Sequence, residues 1–579
     1  MIVKARIVKA AKAGQLSTRR HLAYIQREAV ARDGGSGRLY GADTDAAIAA
    51  EFDERSSGDR HQFRFIVSVE DAEQLDDLTA FTRELMSQME RDLGTRLDWV
   101  AADHWNTDNP HTHVLVRGKD ENGKDLIIAR DYISRGFRLR ASELATEWLG
   151  RRSEREIQAT LNREVEQERW TSLDIALQRK AHENVIDLPD AERSHEDHRQ
   201  RVLLRARLQR LATMGLARPV ADGKWALDPD LEATLRRMGE RGDIIRTMQR
   251  EFGEAREYQI FDAAKATQSV TGRVASKGLA DEMSDRGYLM VDGLDGRAHY
   301  IPLAPTVDMQ DVPIGAIVTA KSGAEPRPSD HTIAKLAENG RYDTQRHLAI
   351  ATQTVRDGQD PTAYVQTHIH RLEALRRAGI VERESEQIWR IPPDFLERAS
   401  AFNATRVDGA VIETNSHVPV DKQRGALGAT WLDRQIVGGK RTFGATGFGA
   451  AASEAVAERE NVLVEQGLAH RRNGRVIAVQ NLIEKLTERE LTDVSSKLES
   501  ETGLKYQPVK NGQQVVGIYR RSLILNSGRF AMLETSGGFS LLPWRPIIEP
   551  QLGRNVSAIL SGNYVTWKFS RDRSPSIER

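Results

Sequence analysis

The 579-residue chain contains no cysteine, which excludes disulfide staples and thiolate metal sites and fits a reducing compartment. It also lacks any apolar run near the ~18 residues of a membrane span, and its first residues lack the core of a secretory signal. No membrane insertion and a cytoplasmic location are therefore expected. Net charge is absent too, since 84 basic and 84 acidic side chains cancel. Affinity for a polyanion must then come from local clusters.

One such cluster is present. The first forty residues hold Lys4, Arg6, Lys9, Lys12, Arg19, Arg20, Arg27, Arg32 and Arg38 against only Glu28 and Asp33, a polarised basic patch. Within it, Ser17 or Thr18 can cap a helix carrying His21-Leu22-Ala23-Tyr24-Ile25-Gln26-Arg27. Arg20 and Arg27 lie four before and three after Tyr24, so the three share a face able to clamp a phosphate beside a phenol. That pairing suggests a tyrosine nucleophile.

The most informative segment is His104-Trp105-Asn106-Thr107-Asp108-Asn109-Pro110-His111-Thr112-His113. Strand formers flank it and its centre is turn chemistry, so it reads as a β-hairpin. His111 and His113, two apart on a strand, project from one face, and His104 sits on the facing strand. Three imidazoles there can grip one divalent metal and leave positions for a substrate oxygen. Imidazole suits Zn, Mn, Fe and Ni alike, so the ligands do not fix the ion.

Tyr24-Ile25-Gln26-Arg27-Glu28 followed far downstream by His104, His111 and His113 resembles the relaxases of conjugative plasmids, in the HUH endonuclease superfamily, over roughly the first 150 residues. The resemblance implies an HUH-type two-layer α/β sandwich with an antiparallel sheet. It also implies that Tyr24 attacks a DNA phosphodiester to give a 5′-phosphotyrosyl intermediate, while the three histidines hold a divalent ion, Mg or Mn. Ser68 falls where some relatives have a serine that contacts DNA near the cut, beside Arg20 and Arg27. The implied partners are single-stranded DNA at a plasmid transfer origin and accessory relaxosome or coupling proteins of a bacterial cytoplasm. Two departures matter. Asn106 stands where many relatives carry an aspartate, although Asp108 is near enough to orient a ligand imidazole. The strand before Ser68 reads His61-Gln62-Phe63-Arg64, where others carry a glutamate. The base for Tyr24 is thus unassigned, with Glu70, Asp71 and Asp108 as candidates. Two alternatives are a rolling-circle replication initiator of the same chemistry, in which the tyrosine commonly follows the histidines, and a catalytically silent DNA-binding regulator.

The pattern along the chain predicts an α+β protein. Strands are expected over Ile2 to Val8 and Gln62 to Val69. Helices are expected from Asp71 to about Leu93, where Leu75, Leu78, Phe81, Leu85, Met89 and Leu93 form one apolar face, and from Asp131 to Leu149. Farther on, Arg207, Leu208, Leu211, Gly215, Leu216 and Trp225 recur 164 residues later as Arg371, Leu372, Leu375, Gly379, Ile380 and Trp389. Each copy outlines a winged helix, and a weaker third begins at Gln466-Gly467-Leu468-Ala469. Arg201, Arg205, Arg207 and Arg210 in one copy, and Arg371, Arg376 and Arg377 in the other, suggest duplex DNA as a further partner.

The expected organisation is a relaxase-like domain over 1–160, a helical linker over 161–195, a winged-helix-like module over 196–265 and a small β-barrel over 266–325. A second winged-helix-like module over 326–410, a C-terminal α+β region over 411–570 and a disordered tail over 571–579 complete it. His368-Ile369-His370 sits on an expected helix, where residues two apart diverge, so it is not read as a ligand pair. The glycine-rich stretches 438–442 and 444–449 lack the order of a phosphate loop and are read as a mobile loop.

Overall fold

The computed structural model describes residues 1–9, 18–19, 21–27, 30–75, 77–105, 110–188, 195–221, 223–253, 255–263, 269–281, 286–305, 307–323, 325–354, 360–404, 409–439, 442–561 and 564–569. The expected tail over 571–579 lies outside them. The fold is mixed α+β and divides into two compact units, Met1–Arg250 with Asp281–Asp285, and Glu251–Ala280 with Arg286–Arg579.

The first unit opens with an antiparallel sheet of order β1-β2-β4-β3, made of β1 (Ile2–Lys9), β2 (His61–Ser68), β3 (Leu97–His104) and β4 (His111–Asp120). Alternation along these strands sorts two faces. Phe63, Phe65, Val67, Trp99, Ala101, Val114 and Val116 form one core with Phe81, Leu85, Met86 and Met89 of α3 (Leu78–Leu93) and Phe137, Ala141 and Leu144 of α4 (Phe137–Leu149). The helix expected from Asp71 starts later because the Asp77 carboxylate caps α3, accepting from the Ala80 amide at 2.9 Å. The opposite face carries Arg64, Ile66, Ser68, Ala102, His104, His111 and His113 in register. Against it lies α1, residues 21–25, and α2 (Ala49–Arg55) joins through Arg55, whose Nε donates to Asp98 at 3.0 Å.

The unit continues with a helix–hairpin module: α5 (Glu154–Glu166), α6 (Ser172–Lys180), β5 (Val185–Asp187), α7 (His195–Thr213), β6 (Ala217–Ala221), β7 (Lys224–Leu227) and α8 (Leu231–Phe252). The stretch expected to be a linker is part of this module. It places Val165, Leu173, Leu177 and Ile186 in the same core as Leu204, Leu208 and Leu211.

The second unit contains β8 (Tyr258–Ile260), β9 (Ser269–Asp281), β10 (Arg286–Gly293), β11 (Ala298–Pro302) and β12 (Ile317–Ser322). The expected small β-barrel is not formed. The strands make an open six-stranded sheet of order β16-β12-β9-β10-β11-β8, and its outer strand β16 (Ala410–Ser416) arrives from far downstream to pair with β12, Ser322 opposite Ala410. Strand-rich composition does not reveal closure, which depends on register and stagger.

Between β12 and β16 sits a second module of α9 (Pro328–Leu336), β13 (Arg341–Asp343), α10 (Thr344–Thr354), α11 (Pro361–Arg377), β14 (Glu382–Arg383), β15 (Ile388–Arg390) and α12 (Phe395–Ala404). A third follows: α13 (Val420–Gln423), α14 (Trp431–Gly438), α15 (Gly447–Glu465), β17 (Ala469–Arg472), β18 (Arg475–Ala478) and α16 (Leu482–Thr502). The last sheet has the order β21-β20-β19-β22-β23, from β19 (Gln514–Leu525), β20 (Gly528–Thr535), β21 (Gly538–Pro543), β22 (Asn555–Ser561) and β23 (Tyr564–Phe569).

All three modules are closed by the same buried ion pair. Arg207 grips Asp174 with two bonds of 2.8 Å, Arg371 grips Asp330 at 2.8 and 2.9 Å, and Arg459 grips Asp433 at 2.8 and 3.0 Å. Each carboxylate also caps its helix, accepting from the amide of Thr171, Arg327 or Thr430 three residues earlier. Eight residues after each arginine the chain turns at Gly215, Gly379 or Gly467, with φ of +75°, +72° and +70°, a left-handed stop that glycine adopts without strain. The third copy is thus a whole module. It also follows that Arg207 and Arg371 are interior rather than facing DNA. Arg205 donates to the Leu188 carbonyl, Arg210 to Glu168 and Arg376 to Glu373, so most of the arginines that suggested duplex DNA are committed within the fold.

The glycines over 444–449 are not a mobile loop either. The Gly444 amide donates to the Leu294 carbonyl at 2.7 Å, and a Cβ at Gly449 would lie 2.6 Å from that same oxygen. Close backbone approach is what requires glycine there. Lys440 and Arg441 of the earlier stretch lie outside the described residues.

Candidate functional site

His104 and His111 are direct partners across β3 and β4, with His113 two positions along the central strand. Cover by α1 and, for His111 and His113, the central place of β4 bury all three rings. One nitrogen from each lies within 4.8 Å of the others, and the ring centroids are 4.4, 5.0 and 5.4 Å apart. His111 Nε2 and His113 Nε2 approach to 3.2 Å. His104 Nε2 lies 2.9 Å from the Ile25 carbonyl. A carbonyl only accepts, so that nitrogen carries the proton and Nδ1 keeps its lone pair, with Arg27 Nη1 3.4 Å away. Burial, then the neighbouring His113 and Arg27, push the His104 ring down to about 2. Three convergent imidazole nitrogens fit one divalent ion, and the bond to Ile25 fixes the His104 tautomer as such sites require.

Tyr24 is buried on α1, its ring 6.0 Å from that of His104 and 6.2 Å from that of His113. Arg27 covers the phenol, with its guanidinium carbon 3.9 Å from the ring centroid, and donates to the Tyr24 carbonyl at 3.2 Å. The end of α1 is fastened by Gly37, whose amide donates to the Arg27 carbonyl at 3.1 Å. A Cβ on Gly37 would fall 2.2 Å from the Ile25 oxygen, so only glycine fits. The structure therefore brings together Tyr24, Arg27 and the three histidines.

Ser68 shares their face. It pairs with His111 across β2 and β4, and its hydroxyl donates to the Pro110 carbonyl at 3.3 Å. Arg20 and Asp108, with Ser17 and Asn106, lie outside the described residues. The Thr18 hydroxyl donates to the Gln62 side chain at 3.1 Å. Glu70 and Asp71 are held by Arg152, each at 2.5 Å, and Glu70 also accepts from the N-terminal ammonium at 2.9 Å. Burial alone would raise the Glu70 carboxyl, but the ammonium and Arg152 overcome it and hold it below the usual range, which makes it a poor base.

Two residues were missed in the sequence. His21, buried one helical turn before Tyr24, packs edge-on to His113 at 5.8 Å and lies 6.5 Å from the Tyr24 ring. Asp103 sits behind the hairpin and accepts from Thr112 at 2.6 Å, Tyr40 at 2.7 Å and Thr79 at 2.8 Å. Burial raises its carboxyl above the ordinary value. The available signals were the helical spacing of His21 and the cross-strand pair Asp103 and Thr112, each next to a ligand position. Lys4 and Arg6 pair with Ile66 and Arg64, so they too belong to the histidine face.

Residues 204–576 match a protein family described as "Protein of unknown function (DUF3363)". The matched span begins inside α7 and leaves Tyr24 and the histidines outside it. No curated protein matches the chain.

Proposed function

The chain belongs to the DUF3363 family, and for the site that precedes the family's span we propose a DNA relaxase: a strand-specific nickase that cuts and rejoins one strand at a plasmid transfer origin in conjugative mobilisation. The observation that carries this reading is the convergence of a phenol, a guanidinium on its face and three imidazoles. The antiparallel sheet with two helices on its other face is compatible with the HUH sandwich this reading requires.

A phenol of pKa near ~10 is mostly protonated at neutral pH, so Arg27 assists attack by favouring the phenolate. The Tyr24 oxygen forms a bond to the scissile phosphorus while the bond from phosphorus to the 3′ oxygen breaks. The phenol loses its proton and the 3′ oxygen leaves as a hydroxyl. His104, His111 and His113 would hold a divalent ion, Mg or Mn in this reading, which when bound supplies Lewis-acid polarisation of that phosphate. One phosphodiester is exchanged for another, so the step runs in reverse to rejoin the strand. Lys4, Arg6 and Ser68 on the same face suit contact with the backbone of a single strand. The helix–hairpin modules, read as winged-helix-like, suit accessory proteins better than duplex DNA, since most of the arginines that suggested DNA are internally paired.

The test is incubation of the full chain with oligonucleotides tiling the transfer origin of its own replicon, with Mn or Mg, followed by denaturing electrophoresis. A covalent protein–DNA adduct that disappears in Tyr24→Phe is expected. Binding without any adduct would instead identify a regulator, and an adduct that survives Tyr24→Phe would remove the tyrosine from the chemistry.

A further inference from the structure

The second module holds a pair of buried imidazoles far along the chain from the triad. His347 on α10 and His368 on α11 are both 3% exposed. Their rings stand perpendicular with centroids 4.7 Å apart, inside the 4.4 to 5.4 Å spanned by the N-terminal triad. His370, the other half of the H-x-H spelling, is exposed on the same helix. The effective pairing is therefore between helices.

The hydrogen bonds around the pair fix the available nitrogen of His368 and permit the same one in His347. His368 Nδ1 lies 3.0 Å from the Tyr364 carbonyl, which only accepts, so Nδ1 carries the proton and Nε2 keeps a lone pair. That Nε2 is buried with no hydrogen-bond partner among the described residues. His347 Nδ1 lies 2.5 Å from the Tyr342 hydroxyl, an oxygen able to accept from it and leave the Nε2 lone pair of His347 available as well. The Tyr364 ring flanks both imidazoles, at 5.6 and 4.7 Å.

Packing alone does not account for a bare acceptor here, because leaving one buried and unpaired costs about 1–3 kcal/mol. Ligand histidines characteristically donate through one ring nitrogen to an oxygen and coordinate through the other; His368 is set up in that way, and the Tyr342 hydroxyl lets His347 adopt the same tautomer. We propose that His347 and His368 form a second metal site in this protein, taking a late first-row divalent ion of the zinc class through their Nε2 atoms, with solvent completing the coordination. Imidazole suits late first-row divalent ions, Zn and Cu among them.

The experiment uses the full chain without a histidine tag, carrying His104→Gln, His111→Gln and His113→Gln so that the triad is silent. Zn2+ is titrated against a chromophoric chelator, and thermal unfolding is followed with and without Zn2+. One equivalent bound in the micromolar range or tighter is expected, with a rise in the melting temperature of the second module. Adding His368→Gln or His347→Gln should weaken binding at least tenfold and abolish the thermal shift, whereas His370→Gln should change neither. Absence of a tight equivalent in the triad-silent chain overturns the proposal without perturbing this module's core. So does binding that His368→Gln and His347→Gln leave unchanged.

Discussion

Arg27 lies face-on to Tyr24, with its guanidinium carbon 3.9 Å from the centre of the phenol ring. A partly buried cation over an aromatic face is worth about 1–2 kcal/mol, or about five- to thirtyfold in a rate. Arg27→Ala should slow adduct formation by about that factor and move the alkaline limb of its pH profile upward, with Arg27→Lys intermediate. An unshifted profile would show that the guanidinium does not act on the phenol.

Loss of one imidazole from the triad should be felt first in ion binding. His111→Gln and His113→Gln should each weaken Mn2+ binding by tenfold or more, read by the electron paramagnetic resonance of free Mn2+. Retention of full affinity in either variant would mean that the three nitrogens do not share one ion.

Asp103 ties the two histidine-bearing strands together from behind. Asp103→Leu leaves the hydroxyls of Thr79, Tyr40 and Thr112 without their acceptor, at about 1–3 kcal/mol for a buried donor left unpaired. Faster hydrogen exchange across β3 and β4 is expected, together with weaker Mn2+ binding. Thr112→Val should give a smaller effect in the same direction.

The ion pair of the second module offers a separable energetic test. Arg371→Met strands the buried Asp330 carboxylate and should cost about 3–5 kcal/mol. Adding Asp330→Asn, which keeps the cap but removes the charge, should recover a substantial part of that loss in urea unfolding of this module. Simple additivity of the two losses would show that the residues do not act as a pair.

His104 sets a pH dependence whose sign is fixed. Burial first, then His113 and Arg27, lower its ring to about 2 from an unfolded value of 6.5. The unfolded chain therefore takes up a proton on acidification before the fold does, and stability is lost as pH falls below about 6.5 toward 2. In chelator, hydrogen exchange over β3 and β4, corrected for intrinsic rates, should speed up between pH 7.5 and 5. His104→Gln should flatten that trend.

What could be read from the chain beforehand was whatever local spacing determines. The strand formers flanking the histidine segment marked the pairing of β3 with β4, and the one-turn spacing of Tyr24 and Arg27 set their shared face. The apolar face of α3 was legible from Leu78 to Leu93 because its period is that of a helix. What escaped depends on partners distant in sequence. Arg207, Arg371 and Arg459 look like surface charges until Asp174, Asp330 and Asp433 are seen to receive them. The pairing of β12 with β16 links Ser322 to Ala410, which no local pattern announces, and it turned an expected barrel into an open sheet. His21 was legible as a residue but not as a neighbour of His113, because the contact requires α1 to fold over the sheet.

The register of β12 and β16 has one more consequence. Ser322 and Ala410 stand side by side, so everything from α9 to α12 leaves the sheet and returns to it at a single point, as a hairpin connection swollen to the size of a domain. The entropy of closing such a connection grows only with the logarithm of its length. The host sheet is thus nearly indifferent to its guest, and a short turn spliced from Ser322 to Ala410 would leave the strands on either side with the neighbours they have now.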